Sequence, residues 1–178
     1  GGMKGMTDVA ITLILAWSLG KMISGLGTAE FIVKFLQDMS FSASLVPAAV
    51  FLFGAFISFS TGSSWGTFAI MMPLAIPMAH AFGIPFYIAV GAVLSGGLFG
   101  DHCSPISDTT ILSSTGAGCG LVEHIKTQLP YAAVNGTIAF IAYIITGLTG
   151  SEAALGFAVI ALIVVMAVLN RISAARLA

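Results

Sequence analysis

The sequence predicts an all-α, polytopic integral membrane protein with discontinuous helices, and three observations carry that prediction. Of 178 residues, 58% are apolar and only 7% charged, against about 25% charged in ordinary soluble domains, so the chain cannot clothe a surface that faces water. Between Asp38 and Asp101 there is no Asp, Glu, Lys or Arg. Two runs rich in glycine and hydroxyl residues, 60–67 and 100–116, interrupt otherwise apolar stretches. Six Lys+Arg against seven Asp+Glu, with two cysteines, exclude a nucleic-acid binder and a disulfide-rich secreted module, as the apolar bulk excludes a soluble enzyme or a disordered segment.

The opening Gly1-Gly2-Met3-Lys4-Gly5 has no initiator Met, and no signal-peptide pattern follows. Residues 1–178 are therefore expected to form one transmembrane domain, the C-terminal part of a longer transporter-like chain. A crossing helix takes about 20 apolar residues, which leaves room for about six crossings. The first is expected over 7–24, where Asp8 near the start and Lys21 near the end suit the helix dipole. Residues 28–38 place Phe31, Ile32, Phe35 and Leu36 on one face and Glu30, Lys34 and Asp38 on another, an amphipathic segment too short to span.

From 45 to 59 the chain is apolar. It breaks over 60–67, where small and hydroxyl residues make a poor helix interior, and resumes over 68–82 with Pro73 and Pro77 inside. A further apolar run over 85–99 meets Asp101 and the hydroxyl-rich stretch behind it. Two long spans, 128–148 and 152–169, close the chain. Arg171 and Arg176 after the last span, and Lys126 before its predecessor, place both outer ends of this pair in the cytoplasm and the loop 149–152 outside.

Irregular backbone at membrane depth survives only inside protein or along a watery cavity, because each unsatisfied peptide group in lipid costs several kcal/mol. Paired broken helices of this kind build cation sites in transporters. Asp101 and Asp108 are the carboxylates placed between apolar spans without a cation beside them in sequence. An acid near mid-membrane costs about 3 kcal/mol and reads as functional by default. Asp101, Ser104, Ser107, Asp108, Thr109 and Thr110 offer the oxygen ligands a hard cation such as Na⁺ prefers. Ser63, Ser64, Thr67 and His102 are expected to line the cavity, His102 either as a proton-relay member or as plain polar lining. A carboxylate that holds a cation or a proton in turn is the core of an antiporter. The same residues also read as helix caps around Pro105 in an ordinary loop, and 60–67 as a close-packed small-residue face.

Gly62-Ser63-Ser64-Trp65-Gly66 fits G-x-S-x-G, but no sheet supplies the strand-to-helix elbow that a Ser64 hydrolase with His80 or His102 needs. Gly116-Ala117-Gly118-Cys119-Gly120 is no dinucleotide fingerprint. Cys103 and Cys119, with His102, give too few ligands for zinc.

The run Gly100-Asp101-His102-Cys103-Ser104-Pro105-Ile106-Ser107-Asp108-Thr109-Thr110-Ile111-Leu112-Ser113-Ser114-Thr115-Gly116-Ala117-Gly118 resembles the signature of the NhaC-type Na⁺/H⁺ antiporters. Lys126-Thr127-Gln128-Leu129-Pro130-Tyr131-Ala132 and the hydroxyl-rich 60–67 break are similar to the same family, and the resemblance covers about 5–148. It implies one repeat of an inverted-repeat secondary transporter in the inner membrane, exporting Na⁺ against inward H⁺ by alternating access. The expected partners are Na⁺, H⁺, the bilayer, an N-terminal repeat and, in some assemblies, a second copy, with no cofactor and no nucleic acid. Relatives similar to malate/lactate exchangers leave an organic-acid antiporter as the alternative, although no Arg within 39–125 is placed to hold an anion. A membrane assembly module without transport and an intramembrane serine hydrolase are the remaining readings.

Overall fold

The computed structural model describes residues 25–151 and 153–177, together with Ile11, Ile14, Leu15, Ser18, Leu19, Lys21 and Met22. These seven, from the first expected span, are all helical, and Asp8 lies outside the described residues. The elements with described bounds are α1 (Thr28–Asp38), a 3₁₀ turn (Ala43–Leu45), α2 (Val46–Thr61), α3 (Ser64–Ala81), α4 (Phe86–Cys103), α5 (Asp108–Ala117), α6 (Leu121–Thr149) and α7 (Ala153–Leu177). No strand occurs among the described residues.

Among the described residues, three helices are long and apolar enough to cross a membrane: α2 with the turn before it, α4, and the 29-residue α6. Their outward faces are apolar. Phe53 and Phe56 on α2, Leu94 on α4, and Ile141 and Leu148 on α6 are all exposed, as are Ile160, Ile163 and Val164 on α7, far more apolar surface than a water-facing domain carries. The protein is a polytopic membrane protein. At ten residues, α5 reaches only about 15 Å and cannot span.

The core forms where α2, α3 and α4 meet, around Val46, Val50, Phe51, Met71, Ala75, Ala92 and Val93. Lipid tails are as apolar as leucine, so such helices associate through close packing. At Gly100 of α4, an added Cβ would collide with the Ala55 carbonyl oxygen and come within 2.8 Å of the Phe59 nitrogen. Only glycine lets α2 and α4 touch backbone to backbone there. Phe51 stacks on Phe99, with ring centroids 5.8 Å apart, and leans on Tyr143 at 5.6 Å, which ties α6 to the same core.

Three expectations meet differences. The 60–67 run breaks the chain for only two residues: α2 runs through Thr61, Gly62 takes the left-handed φ of 67° that ends it, and Ser63 starts α3 by accepting from the Gly66 N–H. Ser60 and Thr61 satisfy their hydroxyls on the carbonyls of Phe56 and Ile57 one turn back, so helix and hydroxyls coexist. On α1, Ala29, Ile32, Val33 and Leu36 turn inward, while Phe31 and Phe35 are exposed and stack on each other at 6.4 Å. The α6 helix begins at Leu121, seven residues before the apolar run, because nothing in 121–127 breaks a helix.

Candidate cation site and adjoining cleft

The two interruptions meet in space. Gly62 packs so tightly on the loop after α4 that an added Cβ would lie 2.7 Å from the Ile106 carbonyl oxygen. The Ser104 hydroxyl donates to the Phe59 carbonyl at 2.8 Å, pinning the same loop to the end of α2. The loop has few residues to satisfy, since α4 runs to Cys103 and α5 starts at Asp108. Ser107 caps α5, its oxygen accepting from the Thr110 N–H at 3.3 Å.

Asp101 sits in the last turn of α4, 1% exposed. Its Oδ2 accepts from the Thr109 hydroxyl at 2.9 Å, and the Ser107 hydroxyl lies 2.8 Å from the Thr109 oxygen. With Thr109 donating to the carboxylate, Ser107 must donate to Thr109, so the two hydroxyls line up toward Asp101. Its Oδ1 is buried and has no hydrogen-bond partner. Ser58 Oγ and Thr110 Oγ1 share that condition. Ser58 stands on α2 between Ala55 and Phe59, the residues that Gly100 touches, and so belongs to the crossing that carries Asp101.

The expected site residues thus divide. Asp101, Ser107 and Thr109 are joined by hydrogen bonds, and Ser104 fixes their loop. Asp108 is exposed at the first position of α5, its Oδ1 accepting from the Thr109 N–H at 2.7 Å, as an acid at a helix start does. Ser63 is spent on capping α3, and the Thr67 hydroxyl donates back to the Ser63 carbonyl. Ser64 is buried at the start of α3 with no hydrogen bond to His80 or His102, so the hydrolase arrangement is absent among the described residues. No group of three or more His, Cys, Asp or Glu stands together among them either. A cation here would be held by one carboxylate with hydroxyl and carbonyl oxygens.

Beside this web lies a cleft of about 600 Å³ between α4, α5 and α6. His102 and Thr109 line it, whereas Ser63, Ser64 and Thr67 do not. Its far wall is a stripe that the sequence reading passed over: His124, Gln128, Tyr131 and Asn135 on α6, spaced i, i+4, i+7 and i+11 and so stacked on one helix face. That spacing was the available signal. It was obscured because the apolar span was read from 128, which leaves His124 outside it.

Spanning-length helices with apolar outer faces, packed around a half-paired buried carboxylate, define a membrane protein with a candidate ion site. The chain belongs to the Na⁺/H⁺ antiporter family, whose profile matches residues 1–148. It is 42% identical over 174 residues to an uncharacterized protein of Haemophilus influenzae, covering 96% of this chain and 33% of that one. It is 30% identical to the arginine/ornithine antiporter ArcD of Halobacterium salinarum (82% of this chain, 30% of the relative). It is 31% identical to the malate-2H⁺/Na⁺-lactate antiporter of Bacillus subtilis (72% and 27%). The chain therefore spans about a third of the length of these relatives. No solved structure matches it.

Proposed function

We propose that this chain carries the ion site of a secondary active transporter that exchanges Na⁺ for H⁺ by alternating access, in a bacterial inner membrane. The observation that carries the reading is the buried Oδ1 of Asp101, which lacks a partner. A carboxylate cut off from water and half unsatisfied is costly as a bare anion. A cation or a proton relieves that cost, and the exchange of one for the other is the transport step. Ser107 and Thr109 orient the second oxygen, and Ser104 holds the loop in place. Ser63 and Thr67 hold the turn that seats Gly62 against the Ile106 loop, Ser64 is buried beside them, and Asp108 serves the start of α5.

The relatives are about three times as long, and their further length is proposed to hold the inverted repeat against which this one moves. The organic-acid alternative has the Bacillus relative's name behind it. Against it, no Lys or Arg among the described residues lines the cleft, so a dicarboxylate would find no permanently charged cation there.

The test is proton movement in proteoliposomes holding the whole protein, after a sodium pulse, beside its Asp101→Asn variant. A sodium-triggered pH change that the variant lacks supports the reading. Equal responses would make Asp101 a structural residue, and a response to malate or lactate alone would favour organic-acid exchange.

A further inference from the structure

The close contacts between α2 and α4 fix a register. An added Cβ on Gly96 would strike the Phe51 carbonyl, one on Gly54 would lie 3.5 Å from the Gly97 nitrogen, and one on Gly100 would meet Ala55 and Phe59. Ser104 reaches the Phe59 carbonyl, and Gly62 abuts Ile106. Residue numbers rise together along both helices, so α2 and α4 run parallel. Phe51, Ala55, Ser58 and Gly62, spaced i, i+4, i+7 and i+11, form one column of α2. Phe51, Ala55 and Gly62 in that column touch α4 or the loop beyond it. Ser58 stands among them, at the level of the α4 turn that runs from Gly100 to Ser104 and carries Asp101.

In that place Ser58 is fully buried, and its hydroxyl has no hydrogen-bond partner. A helical serine ordinarily donates to the carbonyl three or four residues back, as Ser60 and Thr61 do on the same helix. Ser58 leaves the Gly54 carbonyl unused. A buried hydroxyl without a partner costs stability, so one that forgoes the acceptor on its own helix points to an occupant from outside the chain. The cleft does not supply it: Thr110, also unpartnered, lines that cavity, whereas Ser58 does not. The remaining unpartnered atom among the described residues is Asp101 Oδ1, on the facing turn of α4. Two buried oxygens from two helices, at one level and not bonded to each other, form two sides of a cage.

We propose that Ser58 is a ligand of the transported cation, its hydroxyl oxygen facing Asp101 Oδ1 across the α2–α4 crossing. The proposal rests on the sodium reading of Asp101 and adds to it a residue outside both hydroxyl-rich runs, 60–67 and 100–116. It also gives Ser58 a part in selectivity. Hard cations gather several oxygen ligands, whereas a proton sits on one carboxylate oxygen. Ser58 therefore serves the sodium half of the exchange and leaves the proton half to Asp101.

The test is the thermal midpoint of the purified whole protein as sodium chloride replaces choline chloride at constant ionic strength, because an ion bound by the folded state raises that midpoint. The parent is compared with Ser58→Ala, Asp101→Asn and Ser60→Ala. Ser58→Ala is expected to raise the half-saturating sodium concentration about tenfold, as the loss of one contact to a charged group implies. Its sodium-free midpoint should stay level or rise, since the hydroxyl it removes has no partner. Ser60→Ala, whose hydroxyl is spent on the Phe56 carbonyl, should leave sodium affinity unchanged. Unchanged affinity in Ser58→Ala, where Asp101→Asn abolishes the shift, would make the occupant a water and overturn this proposal alone. So would an equal loss of affinity in Ser60→Ala, or a fall of several degrees in the sodium-free midpoint of Ser58→Ala, which would reveal a protein partner. A parent that sodium does not shift, or an Asp101→Asn variant that keeps the shift, sinks the sodium reading and this inference together.

Discussion

The two interruptions of the apolar chain look alike on paper and are built differently. At 60–67 the hydroxyls of Ser60, Thr61, Ser63 and Thr67 are all used within their own helices. The break narrows to Gly62 and Ser63. At 100–116 the chain leaves α4, turns through four residues, and starts a helix too short to span. There Asp101 Oδ1 and Thr110 Oγ1 stay buried without partners. Hydroxyl density is therefore a poor guide to a site, because a helix absorbs hydroxyls onto carbonyls one turn back. The informative quantity is polar capacity left over after the backbone has been served.

Substitutions can break or sharpen this contrast. The largest effect is expected for Asp101→Asn, which keeps the shape and removes the charge: sodium-driven proton flux in proteoliposomes should fall at least about 100-fold, as losing one buried charge interaction of about 3 kcal/mol implies, with the fold retained by thermal melting. Next is Gly62→Val. It forces a β-branched residue into left-handed φ against the Ile106 carbonyl and should cost about 3 kcal/mol or more in denaturant titration. Thr109→Val removes the donor to Asp101 Oδ2 and should raise the half-saturating sodium concentration about tenfold. If flux through that variant matches the parent, the hydroxyl line from Ser107 is structural. Ser63→Ala, at the other break, should lose about 1 kcal/mol of stability as a missing cap does and leave sodium affinity unchanged. Asp108→Asn should do least, about 0.5 kcal/mol from the helix dipole, with exchange intact; a collapse of flux there would move the ion site to the start of α5.

Much of the architecture could be read from residue order. The charge-free stretch, the amphipathic 28–38 segment and the pair of breaks follow from hydropathy and composition, and the NhaC-type motif run brought the family with it. Asp101 was legible because an acid between apolar spans has few ordinary reasons to be there. The orientation of Phe31 and Phe35 was not: the apolar face of that helix is wider than its contact with α3, and packing chose the Ile32–Leu36 side. The α6 stripe escaped because the apolar span was read from 128, which leaves His124 outside it and separates it from Gln128, Tyr131 and Asn135. Folded into a helix, they stand in one column. No spacing rule reveals that Ser58 and Thr110 keep free oxygens, since that depends on what neighbouring helices fail to offer.

The glycine contact at Gly100 bears on how the molecule moves. With no side chain between them, α2 and α4 have no gap to slide across, and the Ser104 link to Phe59 fastens the loop beyond. Asp101 is thus mounted on a two-helix rigid body. Any rearrangement of the site must therefore carry α2 and α4 together.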